Sequence, residues 1–449
     1  MYLIRELKET KFIFLVSLLP FLLAFANISE VDAKYIPIKA IPTMVEPDMN
    51  ITKIYKGDFE PSSFAFIDSS TILVLDRDRG TVKIIKDGLL NPIPALDVNV
   101  STDNFRGLLG IAVYNQNQSL LSKPTNPTVF LYYSESPSID GSDEDITLNE
   151  EPLGNRVYSY KFINNTLVKP RLFLDLPASS PGPRHLGGVL AIGIDHNLYL
   201  STGEGNGTFS KNYHNRALNQ ISGNEPDGRA AILRMTLDGG IVRPIILGDE
   251  FPLNLYYAYG IRNSFGYDWD PVTGYLWDTE NGPLYGDEIN LVMPGFNSGW
   301  ASVQGLWKPN GENISDSAVN PSTLVRFNGK GEYSTPEFIW KQIVAPSALK
   351  FLNSDIYGPD MKNDLFVGAA NTGSVYHFEL NDDRKSLKLE GVLKDGIADS
   401  WEELTNDITF AKGLGRITDI EIGPDGYMYI LSQQKKGERG SFIHKIVPN

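Results

Sequence analysis

From residue 58 onward, apolar and polar residues alternate in short runs interrupted by Gly, Asp and Pro, with no sustained 3.6-residue period of the kind an amphipathic helix would show. The pattern predicts an all-β chain. One unit recurs: an apolar strand ending at a Gly or Asp turn, an aromatic-rich second strand, then a Gly and a third alternating strand. It runs through FAFIDSSTILVLDRDRGTVKII (64–85), LLGIAV (108–113) with TVFLYY (128–133) and RVYSYKF (156–162), and VLAIGIDHNLYLSTGEG (189–205) with RAAILRM (229–235). It returns as FGYDWDPVTGYLWDTENG (265–282) with DEINLV (287–292), SALKFL (347–352) with DLFVGAANTGSVYHFEL (364–380), and ITDIEIGPDGYMYILS (417–432) with FIHKIV (442–447). Six copies predict a six-bladed β-propeller of four-stranded antiparallel blades, an arrangement that hides the strand edges of a long all-β chain. Roughly 69 residues per copy exceed the ~40–45 of short propeller repeats, so long loops are expected at one end. Ser134–Leu153, which is acidic, and Gly295–Val344, which carries Trp300, Trp307 and Trp340, are the two visible ones.

The first 33 residues follow a different rule. Arg5, Lys8 and Lys11 precede an apolar run from Phe12 to Ala26, and Val31-Asp32-Ala33 resembles a small-residue cleavage site. Residues 1–33 are therefore expected to be a signal peptide or N-terminal anchor, 34–57 a lead-in, and 58–449 a single propeller domain. The apolar run contains Pro20 and is short of the ~20 residues a spanning helix needs, so cleavage and export to the cell envelope or beyond are the expectation. Membrane contact would come only through this segment.

Composition narrows the chemistry. The net charge of −15 argues against nucleic acid, whose phosphates call for a basic surface. The absence of cysteine removes disulfides, thiolate metal sites, Fe–S clusters and cysteine nucleophiles. Of five histidines, His377 and His444 sit within alternating strands, as half-buried structural residues do, and His196 and His214 sit in polar turns. His185 differs, because Pro183-Arg184-His185-Leu186-Gly187-Gly188 is a loop whose glycines permit close backbone approach just before a strand. It is a candidate general base. Arg262-Asn263, in Gly260-Ile261-Arg262-Asn263, pairs a planar cation with an amide, suited to an anionic or carbonyl-rich ligand. Gly282 and Pro283, followed by Asp287 and Glu288, offer carbonyl and carboxylate oxygens of the kind Ca²⁺ takes; alternatively the acids cap neighbouring turns.

Together, Arg106-Gly107-Leu108-Leu109-Gly110-Ile111-Ala112, His185-Leu186-Gly187-Gly188, Gly260-Ile261-Arg262-Asn263, Glu280-Asn281-Gly282-Pro283, Gly286-Asp287-Glu288-Ile289-Asn290 and Gly423-Pro424-Asp425-Gly426-Tyr427 resemble the glucose/sorbosone dehydrogenase family. Its members are soluble, exported six-bladed propellers that use pyrroloquinoline quinone (PQQ) to oxidise aldose sugars. The resemblance runs from about residue 55 to 446. It implies that His185 takes the proton of the sugar's anomeric hydroxyl, with Glu204 orienting it where the family has Asp. It further implies that Arg262 and Asn263 meet the quinone oxygens, that Arg416 contacts the cofactor, and that Gly282 and Pro283 hold Ca²⁺, with Asp287 and Glu288 in the same calcium-binding region. The implied partners are a small sugar and an external electron acceptor, and the implied product is a lactone.

Three positions depart from the family. Phe105 stands where it has Gln or Glu beside the cofactor, Asn371 where it has Lys, and Thr418 where it has a second Arg. PQQ carries three carboxylates, and each missing charge-assisted hydrogen bond is worth roughly 1.5–3 kcal/mol. Arg106 and Arg184 are candidates to compensate. A non-catalytic propeller of the same family, binding carbohydrate or a protein at the cell surface, is the alternative function.

Overall fold

The computed structural model describes residues 41–102, 105–115, 126–137, 152–178, 184–205, 214–310, 313–315, 320–404, 408–434 and 440–449. The expected leader, most of the acidic loop at 134–153 and the tip of the 295–344 loop lie outside them.

The described residues form six sheets of four to six strands each, plus a two-stranded ribbon, Lys308–Asn310 with Asn313–Ser315. The described helices are 3₁₀ turns of three residues, such as Arg216–Leu218 and Leu253–Leu255. The chain is thus an all-β propeller. Each sheet contributes one edge strand to a central ring: Pro61–Phe66, Leu108–Tyr114, Leu190–Ile192, Ser264–Trp269, Pro346–Phe351 and Arg416–Ile422. Five of the six neighbouring pairs in the ring pack directly on one another. Between Leu190–Ile192 and Ser264–Trp269 the link is hydrogen-bonded, Tyr267 Oη donating to the Val189 carbonyl at 3.1 Å and Ser201 Oγ to the Ser264 carbonyl at 3.0 Å.

Uniform four-stranded antiparallel blades, as expected from the repeats, are not what forms. Two sheets have four strands; the others gain two-residue strands supplied by loops. Leu89–Leu90 and Leu96–Asp97 both pair with Thr81–Lys86. Phe296–Asn297 adds in parallel to Tyr256–Tyr259, Glu332–Tyr333 adds in parallel to it, and Ile397–Ala398 adds in parallel to Phe338–Trp340. Each addition satisfies backbone groups that an outer edge would otherwise leave open. The 295–344 segment is consequently no free loop. Its Trp300 and Trp340 are fully buried, because large apolar rings there extend the core between sheets.

The ends of the chain close the ring. Met49–Gly57, within the expected lead-in, pairs antiparallel with Ser441–Pro448, so one sheet contains both the first long strand and the last. The core lies between successive sheets, where aromatic rings fill the widening wedge. Trp277, Phe338, Trp340, Tyr376 and Phe378 form one such layer, with Phe338 and Trp340 edge to face at 4.9 Å.

Antiparallel pairing also decides where the loops meet. The start of a ring strand lies beside the end of the next strand: Pro61 opposite Asp76, Ser264 opposite Glu280, Pro346 opposite Ala369, Arg416 opposite Gln433. Segments before ring strands and after second strands therefore converge at one end of the propeller.

Candidate active site

At that end lies a cavity of about 480 Å³. Its walls bring together His185, Arg262, Asn263, Gly282, Pro283, Asp287 and Arg416, with Phe105, Asn371 and Thr418 beside them. Residues as far apart in sequence as Phe105 and Thr418 share one surface because each belongs to a loop or a strand end at the same end of the propeller.

His185 is held from both sides. Its Nδ1 lies 2.6 Å from Glu204 Oε1, and its Nε2 lies 3.3 Å from Arg262 Nη2. An ionised carboxylate only accepts, so Nδ1 carries the proton and donates to Glu204, which leaves the Nε2 lone pair facing Arg262. The backbones are laced together as tightly as the side chains. The Glu204 N–H donates to the Arg262 carbonyl at 2.9 Å, the Gly205 N–H to the His185 carbonyl at 3.1 Å, and the Gly187 N–H to Asn263 Oδ1 at 3.1 Å. A Cβ at Gly203 would sit 2.1 Å from the His185 carbonyl, so only glycine permits this approach. His185 itself adopts φ 57°, a left-handed backbone kept by these bonds.

Burial lowers the pKa of His185 below its ordinary 6.5; the hydrogen bond to Glu204 opposes this and the Arg262 charge adds to it. The imidazole is therefore neutral near pH 7. With 18% of its side chain exposed, it remains reachable from the cavity, whereas Glu204 is closed off.

Arg262 is fixed on every side. Nη1 donates to the carbonyls of Asn281 (2.6 Å) and Gly282 (3.0 Å), and its guanidinium lies 5.3 Å from the Trp300 ring. Its backbone N–H donates to Glu280 Oε1 at 2.8 Å.

The two acids expected near calcium separate. Asp287 reaches the cavity wall, but both its oxygens accept backbone N–H groups, Oδ1 from Gly282 at 2.8 Å and Oδ2 from Ala345 at 2.7 Å. It is the strut that shapes the Gly282-Pro283 turn, and burial pushes its carboxyl up to about 7. Glu288 points to the other face of the sheet and does not line the cavity. It accepts from the Gly305 N–H at 2.5 Å and from Gln304 Nε2 at 2.8 Å, and burial followed by repulsion from Glu280 raises its pKa well above the carboxylate range. Strand alternation explains the split, since consecutive residues face opposite sides. Among the described residues no group of three or more His, Cys, Asp or Glu side chains is placed to hold a metal ion, so carbonyls would have to contribute.

Arg106 is buried away from the cavity and Arg184 is exposed beside it. Other cations line the wall: Arg77, paired with Glu60 at 2.9 Å and Asp78 at 2.7 Å, and Lys350, paired with Glu421 at 3.0 Å. The charged turn Asp76-Arg77-Asp78-Arg79 and the lone Lys in the apolar strand Pro346–Phe351 were the available signals for these two. Together with Arg262 and Arg416 they face Glu60, Asp287, Asp419 and Glu421, so cations and acids on the wall are equal in number.

The sequence matches the family model described as Glucose / Sorbosone dehydrogenase over residues 59–444. It is 30% identical over 273 residues to aldose sugar dehydrogenase YliI of Escherichia coli (strain K12), covering 60% of this chain and 62% of that protein. It is 29% identical over 310 residues to quinoprotein glucose dehydrogenase B of Acinetobacter calcoaceticus, covering 64% and 59%. The PQQ-bound aldose sugar dehydrogenase of Streptomyces coelicolor superposes with a TM-score of 0.60 at 19% identity, over 90% of this chain and 100% of that one, a likeness of fold. With the family model spanning nearly every strand of the ring and both arms of the His185–Arg262 constellation, the chain belongs to the glucose/sorbosone dehydrogenase family.

Proposed function

We propose that this chain is an exported, PQQ-dependent sugar dehydrogenase that oxidises an aldose at the anomeric carbon to its lactone, on a propeller with one blade per sheet. The observation that carries the reading is the chain of contacts Glu204–His185–Arg262 at the cavity wall, 2.6 and 3.3 Å long.

The residues present fit a planar, polyanionic quinone in kind. Arg262, Asn263 and Arg416 would supply donors on one cavity surface, and Gly282, whose carbonyl also accepts from Arg262 Nη1, and Pro283 would supply carbonyls for the accompanying Ca²⁺. Bound there, PQQ would accept the hydride, which carries both electrons of the oxidation, from the sugar's C1. His185 performs the matching proton transfer: Nε2 accepts the anomeric hydroxyl proton as the C1–H bond breaks and the C1–O bond becomes a carbonyl. Glu204 stabilises the imidazolium so formed and holds its orientation. A sugar hydroxyl must displace the Arg262 contact at Nε2, which leaves Nη2 beside the reacting atoms to stabilise developing negative charge. An external acceptor then completes the turnover.

The reading is tested by adding PQQ and Ca²⁺ to purified protein and measuring aldose-dependent dye reduction, with His185→Ala as the comparison. Sugar-dependent reduction lost in the variant supports it. A folded, PQQ-saturated protein that reduces no dye with any aldose would leave the carbohydrate-binding propeller as the better reading.

A further inference from the structure

Phe105 lines the same cavity as His185, yet it is 49% exposed while the catalytic candidates are largely covered. Its backbone is at φ 72°, a left-handed conformation that bulky L side chains rarely adopt and glycine adopts freely. A bulky apolar ring in strained backbone at a cavity mouth is costly in both solvation and conformation, which points to use by a ligand.

The ring also has a charged neighbour. The Arg77 guanidinium lies 5.9 Å from the ring centroid, and Arg77 is itself pinned by Glu60 and Asp78. Behind the ring the backbone is locked to the same turn. The Leu108 N–H donates to the Arg77 carbonyl at 2.9 Å, and a Cβ on Gly107 would fall 2.4 Å from that oxygen. Arg77 lies over one face of the ring, so the ligand is assigned to the opposite one.

We propose that Phe105 is a stacking platform at the cavity mouth that binds the apolar C–H face of a pyranose, with Arg77 as its positioning residue. This rests on the sugar-oxidising reading for the identity of the ligand. A pyranose has a polar rim and faces of polarised C–H bonds, which the negative face of an aromatic ring attracts. A half-exposed position suits the ligand that enters and leaves on each turnover, and the Arg262–Asn263 surface below suits the resident one.

The test uses methyl β-D-glucopyranoside, which lacks a free anomeric hydroxyl and cannot be oxidised there, titrated by calorimetry with and without PQQ and Ca²⁺. Wild type and Phe105→Tyr are expected to bind comparably, and Phe105→Ala and Phe105→Gly roughly three- to tenfold more weakly, with PQQ affinity unchanged in all. The Phe105→Gly protein should melt no lower than wild type, since glycine relieves the backbone. Equal glucoside affinity in wild type and Phe105→Ala overturns the proposal, as does no glucoside binding by wild type. A fall in PQQ affinity instead of glucoside affinity overturns it in favour of a cofactor contact. Phe105-dependent glucoside binding in a protein that oxidises no sugar supports the platform while removing the dehydrogenase reading.

Discussion

Replacing Glu204 by Gln separates its charge from its shape. The 2.6 Å bond from His185 Nδ1 is charge-assisted, and its acceptor is fully enclosed by protein. A glutamine oxygen can still accept from Nδ1 and keep the ring in place, but it cannot offset the positive charge that appears on His185 when Nε2 takes a proton. Charge-assisted hydrogen bonds are worth about 1.5–3 kcal/mol against 0.5–1.5 for neutral ones, so the loss is about 1–2 kcal/mol, or roughly 5- to 30-fold in kcat. The pH profile adds a second signature. Glu204 favours the protonated imidazole, so removing its charge lowers the His185 pKa further below 6.5 and shifts the acid limb of kcat/KM to lower pH. A variant that merely loosened the site would rehydrate the imidazole and shift that limb upward. The assay is aldose-dependent dye reduction by protein loaded with PQQ and Ca²⁺, from acid to neutral pH. An unchanged kcat, or an acid limb displaced upward, would refute the assignment of Glu204 as the group that stabilises the imidazolium.

Three further outcomes are expected. Asn371→Lys combined with Thr418→Arg adds two cations to a wall whose cations and acids are equal in number, and should tighten PQQ by at least ~2 kcal/mol, about thirtyfold, in a calorimetric titration. Ca²⁺ at a hundredfold excess over its Kd should stabilise the native protein by about 2.7 kcal/mol relative to chelator, and equal melting curves would exclude a site on the Gly282-Pro283 turn. In chelator, stability should fall as pH rises from about 4 and level off above about 7 to 8. Burial pushes Asp278 up to about 7, and burial with the nearby Asp278 charge pushes Glu280 up to about 8, so the native state holds protons that the unfolded chain, titrating near 4, has lost. Asp278→Asn should raise the melting temperature above neutral pH and flatten that slope.

Period-two alternation and the turn residues were enough to read an all-β chain, because side-chain direction in a strand is a local property that neighbouring residues display. The loop character of His185 and its glycines was equally local, and the exposed turn of His196 and exposed loop of His214 followed from the same patterns, whereas His444, expected to be half-buried in its strand, is buried. Which strand lies beside which is not local. The pairing of Met49–Gly57 with Ser441–Pro448 joins opposite ends of the chain, and the two-residue additions to outer edges carry too few residues to show a pattern.

The site divides in the same way. Sequence context singled out His185, Arg262 and Asn263, the family resemblance added Glu204, and Asp287 and Glu288 were named together because they are adjacent. Adjacency in a strand sends those two acids to opposite faces, but only the folded chain decided what each face meets: Asp287 braces the turn at the cavity, and Glu288 joins Glu280 and Ser298 in the interior. Only the folded chain could bring Arg77 under the exposed ring of Phe105. The reason is physical: a residue's type and its neighbours determine strand, turn and side of the sheet, whereas charge compensation and catalytic contact depend on distances set by packing between sheets, across hundreds of residues of chain.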